Sequence, residues 1–279
     1  MNILPRADNA LTVNPPDGVN SSLSVNGSDW LWTVTAIYTA SFLGLVILSF
    51  AAHESRRVFH YIFTVVLLVG SVSYYVQASD LGWTPIPISD DDHTMTQLFF
   101  AKYINWVVAF PSLALALGLL CGISWTTIVC NIAVSWFWVL TYLATAFISS
   151  DYKWGAFAFG TLAYVILAMS TINESHEAAE PLGIGRDYRL LSGWLNLLWL
   201  LYPVAFGLSD GSHKIGVTAG FVFFGVLDVL MVPVLAFAFL FLSRKWDWDK
   251  LNLAFSDVRV RQHRSGKGAS SADASTAAV

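Results

Sequence analysis

The sequence predicts an all-α bundle of seven membrane-spanning helices. Three observations predict it. Of 279 residues, 56% are hydrophobic and only 12% charged, with a mean hydropathy of +0.59, whereas soluble domains carry about 25% charge. The apolar residues are gathered into blocks of about 20, the length a helix needs to cross a bilayer. Seven such blocks follow one another with short connections, so consecutive helices pack antiparallel and satisfy their backbone polar groups internally.

Residues 1–29 are polar and rich in Asn, Ser, Gly and Pro, the composition of a disordered tail. Two sequons, Asn20-Ser21-Ser22 and Asn26-Gly27-Ser28, are glycosylation acceptors if this end is extracytoplasmic. The apolar spans run over 30–51, 58–79, 97–120, 123–148, 153–172, 189–208 and 215–243, making 30–243 the membrane domain. Residues 244–279 form a basic, partly disordered tail in which Trp246-Asp247-Trp248 is expected to anchor at the headgroup level. Cys121 and Cys130 fall in or beside membrane segments, which argues against a disulfide framework. No secretory leader is visible, because the N-terminus lacks a basic region followed by a short apolar run.

Orientation follows from the cations. Arg56, Arg57, Arg186, Arg189 and seven residues of the tail lie on one side, against Arg6, Lys153 and Lys214 on the other, a bias of eleven to three. The side with fewer cations also carries Asp90-Asp91-Asp92. By the positive-inside rule the N-terminus is outside and the C-terminus cytosolic.

The last span, from Phe221 to Ser243, holds one carboxylate, Asp228, near its middle. An acid in hydrocarbon must face the bundle interior and find a partner. The expected partner is Lys102 in the outer third of the third span, where Lys102, Asn105, Trp106 and Ala109 share a face. Trp199 and Tyr202 share one in the sixth, Asn131, Ser135 and Trp138 in the fourth, and Phe157, Gly160 and Tyr164 in the fifth. Each has a plain structural reading: aromatic stripes are ordinarily core, Pro111, Pro203 and Pro233 are ordinary kink residues, and a buried ion pair serves register as often as function. No nucleophile–base pair, phosphate loop or metal-ligand spacing is seen, and the six histidines are scattered; an enzyme is not indicated.

Taken together, KYINWVVAFP in the third span, SYYVQASDLGWTPIP at 73–87, WLLYPVAFGLSDG in the sixth and GVLDV in the seventh resemble the microbial (type 1) rhodopsins of fungal kind. That resemblance implies a retinal pocket between tryptophans. Trp106, Trp199 and Tyr202 match pocket residues, Asp228 the second counter-ion, and Tyr74 the tyrosine that bonds it. Pro111 and Pro203 match the family's prolines, and Lys102 its third-helix arginine.

The departures carry more. The family's retinal-bearing lysine lies one turn after the aspartate, and Val232 stands there, with no lysine anywhere in 215–243. An isopropyl group forms no imine. Asn105 replaces the primary acceptor carboxylate and, as an amide, takes no proton near neutral pH. Ala116 replaces the proton donor, and Trp138 and Tyr164 stand where the family commonly has slimmer side chains. Asp210 is the one remnant of the outer glutamates, Gly220 occupying the other position.

The resemblance therefore narrows to the retinal-free, opsin-related fungal branch, similar to the yeast plasma-membrane heat-shock protein subfamily. It implies a plasma-membrane protein of stress adaptation without bound retinal or metal, in contact with lipids and with membrane proteins such as the proton ATPase, and able to form homo-oligomers. The vestigial pocket comprises Asn105, Trp106, Trp138, Tyr164, Trp199, Tyr202, Asp228 and Val232. The alternatives are a light-driven proton pump or sensory photoreceptor, a non-covalent binder of a small lipophilic ligand, and an ion channel. The last is disfavoured by the apolar inner half at Ala116, Val232 and Leu235.

Overall fold

A computed structural model describes residues 9–52, 57–88, 94–248 and 251. Arg6, Arg56, the Asp90–Asp92 run and the tail cations from Lys250 onward lie outside the described residues. Seven helices are long and apolar enough to cross a membrane: α1 Val25–Ala51, α2 Arg57–Ala78, α3 Ala101–Cys121, α4 Trp125–Phe147, α5 Lys153–Ala179, α6 Gly185–Gly211 and α7 Val217–Lys245. Each packs against the next and α7 returns to α1, closing a ring in which α3 is the most enclosed.

Local chemistry sets the helix ends. The Ser24 hydroxyl caps α1 by accepting the Gly27 N–H at 3.1 Å, and Ser124 caps α4 through the Thr127 N–H at 3.2 Å. α3 stops at Gly122, whose φ of 71° is the left-handed conformation that glycine adopts without a Cβ penalty. Three helices contain π-helical turns, at Ser170–Glu174 in α5, Gly207–Gly211 in α6 and Leu230–Val234 in α7.

Two indoles bond main-chain carbonyls of neighbouring helices, one of them a carbonyl that a proline leaves free. Pro111 has no N–H for the carbonyl of Val107, and Trp136 of α4 donates its indole N–H to that oxygen at 3.0 Å. Trp194 of α6 donates its indole N–H to the carbonyl of Leu230, at the start of the π-helical turn of α7, at 3.2 Å. These bonds tie α4 to α3 and α6 to α7 where a backbone acceptor would otherwise face lipid.

The N-terminal end of the bundle, where α1, α3, α5 and α7 begin, departs from the sequence expectation. Residues 97–99 are not the start of the third helix: β1 (Trp83–Pro87) and β2 (Met95–Phe99) form an antiparallel hairpin in which Pro85 faces Gln97. The apolar run Leu98-Phe99-Phe100 continues into α3 without a polar break, so hydropathy could not place the boundary. β1 carries two prolines and is an edge strand, as prolines require, while β2 also bridges Ser21 on its other side.

Nor are the described residues of the expected disordered tail unstructured. Ala10–Val13 form a helical turn, α1 starts at Val25 rather than 30, and Leu23 is buried. Asn20 exchanges two hydrogen bonds with the Met95 backbone at 2.8 Å each, and Asn26 lies in the first turn of α1, so neither sequon sits in a free loop. At the opposite end Trp246 is not a lipid anchor. It is 6% exposed, its indole N–H donates to Asp187 at 2.8 Å, and it packs on Phe239.

Asp80 clasps this N-terminal cap. It is 1% exposed, holds a φ of 56°, and accepts the Gln97 amide at 3.0 Å while the Gln97 carbonyl accepts the Leu23 N–H at 2.7 Å. Burial pushes the Asp80 carboxyl above its ordinary value, and the Gln97 amide pulls against that shift. A folded state that holds this proton more tightly than the unfolded chain has the full contribution below the ordinary carboxylate value. It loses that contribution as pH rises through the raised value. Asp80→Asn keeps the acceptor and tolerates the left-handed backbone. It is expected to raise the unfolding midpoint at neutral pH and to flatten the loss of stability as pH rises above the ordinary carboxylate value; a lower midpoint would show that the charge itself holds the cap.

Candidate functional site

Asp228 sits eleven residues into α7, about 16 Å along its axis, and is 1% exposed. Four neutral donors from three helices converge on its carboxylate. Tyr74 of α2 donates its hydroxyl at 2.5 Å, Asn105 of α3 its amide at 3.2 Å, and Trp106 its indole N–H at 3.1 Å to one oxygen and 3.2 Å to the other. Tyr202 of α6 donates its hydroxyl as well. Tyr38 of α1 adds a bond to the backbone carbonyl of Asp228 at 3.0 Å. Its ring lies so close to Gly70 of α2 that any Cβ there would overlap it. Bonds to an ionised acceptor contribute about 1.5–3 kcal/mol each, which is how a lone carboxylate is kept in this interior.

The expected Lys102–Asp228 pair is not what forms. Lys102 makes its ion pair with Asp210, at the end of α6, and Asp210 also accepts the Tyr103 hydroxyl at 2.5 Å. Depth is the reason. Lys102 lies in the first turn of α3 and Asp210 in the last turn of α6, at the same end of the bundle, whereas Asp228 is three turns inside. Asn105 and Trp106, one turn deeper on α3, reach it instead.

Behind the carboxylate the sequence-predicted pocket residues are brought together, and Phe110 joins them. Phe110 stands among Trp138, Trp199 and Tyr202 at centroid separations of 4.8, 5.9 and 5.0 Å, and stacks on Trp106 at 6.2 Å. Trp138 closes the far side against Tyr164 at 5.0 Å and Trp199 at 6.1 Å. Phe110 was legible as the residue one turn beyond Trp106 on the same face. Val232 is fully buried on the π-helical turn of α7, one turn after Asp228. Ala116 and Leu235 are buried apolar residues further in.

The α5–α6 side of the interior is nonetheless polar and internally paired. Tyr188 donates to the Thr171 carbonyl at 2.8 Å, Asn196 to the Thr171 hydroxyl at 3.0 Å, and Tyr164 to the Asn196 carbonyl at 3.3 Å. These bonds hold the π-helical turn of α5 against α6, and every acceptor but the Thr171 hydroxyl is a main-chain carbonyl. The chemistry available at Asp228 is thus anion stabilisation by fixed dipoles, with no amine, thiol or free imidazole among the groups that touch it.

Coupling distinguishes the two acids. In a double-mutant cycle on unfolding in detergent, Lys102→Met and Asp210→Asn should couple by about 0.5–3 kcal/mol. Lys102→Met and Asp228→Asn should add. Coupling in the second cycle and additivity in the first would return Asp228 to Lys102.

With this geometry in view, comparison with known proteins is informative. The family described as bacteriorhodopsin-like protein matches residues 27–246. The opsin-like protein carO of Fusarium fujikuroi is 33% identical over 269 residues, covering 92% of this chain and 87% of that one. The 30 kDa heat shock protein of Saccharomyces cerevisiae is 27% identical over 246 residues, covering 79% and 73%. Among solved structures, the light-driven proton pump LR (Mac) of Leptosphaeria maculans superposes with a TM-score of 0.75 at 28% identity, covering 83% of this chain and 99% of that one. Seven helices, the ligation of the seventh-helix carboxylate and the match over most of the chain agree: the protein belongs to the bacteriorhodopsin-like family, in its fungal opsin branch.

Proposed function

We propose that this rhodopsin-like membrane protein works without retinal and without light, as a stress-response or regulatory protein of the plasma membrane. In this reading it acts through contacts with lipids and with membrane proteins such as the proton ATPase, and catalyses no reaction. One observation carries the proposal: Val232, fully buried, occupies the position from which an amine would have to reach a chromophore. Phe110, Trp138, Tyr164 and Trp199 stand ring to ring in the adjoining space. The residues present therefore do not fit a covalently held retinal. The same filling disfavours a flat lipophilic ligand held without a bond. Similarity to a heat shock protein supports the stress reading. Apolar side chains at Ala116, Val232 and Leu235, together with internally paired polar groups beside them, disfavour a conducting inner half.

The second reading, a light-driven pump, draws on the kept ligation of Asp228 and on the likeness to the Leptosphaeria maculans pump. Adding all-trans retinal to purified protein separates the two. No visible band that persists as a covalent adduct after denaturation is expected. Val232→Lys alone is expected to remain colourless, because the rings still fill the space. Val232→Lys with Phe110→Ala removes about 3–5 kcal/mol of packing and opens the position where a pigment could enter. A covalent band from the unaltered protein would sink the proposal.

A further inference from the structure

An open groove that the ligation of Asp228 does not use lies between the helical turn Ala10–Val13, the first turns of α1 and the end of α2. Its volume is about 420 Å³, within the ~300–1,000 Å³ of ordinary small-molecule sites. Asn14 fixes the turn as one wall, its side-chain amide donating to the Ser79 carbonyl at 2.9 Å. Trp32 of α1 and Tyr75 of α2 line the opposite wall, edge to face at 5.5 Å. They are 40% and 52% exposed. An edge-to-face contact covers one ring face and leaves the others open to a ligand.

Charge gives the class of that ligand. Asp29, one turn before Trp32 on α1, brings a carboxylate to the groove. Among the described residues no lysine, arginine or histidine lines it. Residues 9–35 and 71–88, which supply the lining, contain Asp17, Asp29 and Asp80 and no basic residue. Asp80 is itself buried against the Gln97 amide, and Arg6, Asp8 and the Asp90–Asp92 run lie outside the described residues. A carboxylate beside two electron-rich ring faces selects a cation.

The polar groups of the lining are largely spent. The Ser28 hydroxyl donates to the Ala78 carbonyl at 2.7 Å, the Asn14 amide is held by Ser79, and the Asn9 side-chain oxygen accepts the Thr12 N–H at 2.9 Å. What remains is ring faces, aliphatic surface and one carboxylate, which suits a cation that has no N–H to donate. Depth gives its source. Trp32 lies seven residues into α1 and Tyr75 three from the end of α2, about 10 Å and about 5 Å inside the helix ends. That is the level at which tryptophan and tyrosine meet lipid headgroups. Val13 and Leu81, on the rim, are exposed apolar side chains.

From this juxtaposition we infer that the groove binds the choline headgroup of a phospholipid from the leaflet at this end of the bundle. The quaternary ammonium lies against the rings of Trp32 and Tyr75, and Asp29 supplies the countercharge. The phosphate stays toward water, since no basic group of the lining would receive it. The proposal does not depend on whether the chain carries retinal.

The test is native mass spectrometry of the full chain, released from detergent micelles that hold equal amounts of phosphatidylcholine, phosphatidylethanolamine and phosphatidylglycerol with the same acyl chains. Phosphatidylcholine is expected to be retained over either competitor by about five-fold or more, the scale of one cation–π contact. Trp32→Leu and Asp29→Asn should each remove most of that preference. Tyr75→Phe, which keeps the ring, should leave it unchanged, and all three should keep their helical circular dichroism. Equal retention of the three lipids by the unaltered protein would overturn the proposal, as would ethanolamine retained as well as choline. A choline preference that survives both Trp32→Leu and Asp29→Asn would place the lipid elsewhere. A preference that emerges only when residues 1–8 are removed would give the groove to that segment and its Arg6 instead. If Trp32→Leu fails to fold, Asp29→Asn and the choline-against-ethanolamine ratio of the unaltered protein decide.

Discussion

The ligation of Asp228 is the constraint on which the bundle depends. A carboxylate three turns inside a membrane helix cannot be left to lipid, and no cation reaches it. It is satisfied by the only alternative, a convergence of neutral donors. Those donors come from α2, α3 and α6, and Tyr38 of α1 bonds its backbone carbonyl, so one residue of α7 registers four other helices. The requirement propagates outward. Tyr38 reaches α7 only because Gly70 leaves room for its ring, and Trp106 and Asn105 reach it only because α3 begins after a hairpin that sets its depth. A partly satisfied network of this kind is worse than an apolar core, so its members are interdependent.

The ring cluster follows from the same geometry. Trp106 and Tyr202 are fixed by their bonds to Asp228, and Phe110 fills the angle between them with centroids 6.2 and 5.0 Å away. Rings of this size bury about 150–250 Å² each, so Phe110, Trp138, Tyr164 and Trp199 supply much of the apolar core on this side. The indole N–H groups of Trp138 and Trp199 have no hydrogen-bond partner within it. That cost is the kind a core tolerates when packing outweighs it.

Much of this was legible in the sequence, and the rest fails for identifiable reasons. Helix existence follows from hydropathy alone, and the Tyr74–Asp228 bond and the pocket tryptophans follow from family resemblance. The error at Lys102 arose because charge complementarity selects a partner by sign, whereas the membrane selects by depth, and Asp210 lies at the depth of Lys102. The hairpin was missed because Leu98 and Phe99 are as apolar as the helix they precede. The cap formed by residues 9–24 was hidden because it is held by isolated bonds of Asn20, Leu23 and Gln97 to backbone and amide groups, which leave no periodic trace. Trp246 reads as an interfacial residue from its flanks, and only the position of Asp187 at the start of α6 shows that it folds inward.

The two ends of the interior are consequently unlike. At the N-terminal end, charge is concentrated: a buried lysine, Lys102, the carboxylate of Asp210 and the imidazole of His213 line one cavity. Past Asp228 on the α7 side the lining is Val232, Ala116 and Leu235, and beside it the hydroxyls and amide of α5 and α6 are spent on α5 and α6 themselves. Proton transfer across a bilayer needs exchangeable groups or water on both sides of the central acid. Here the donors around Asp228 are two phenols, an indole and an amide, none of which exchanges a proton readily near neutral pH.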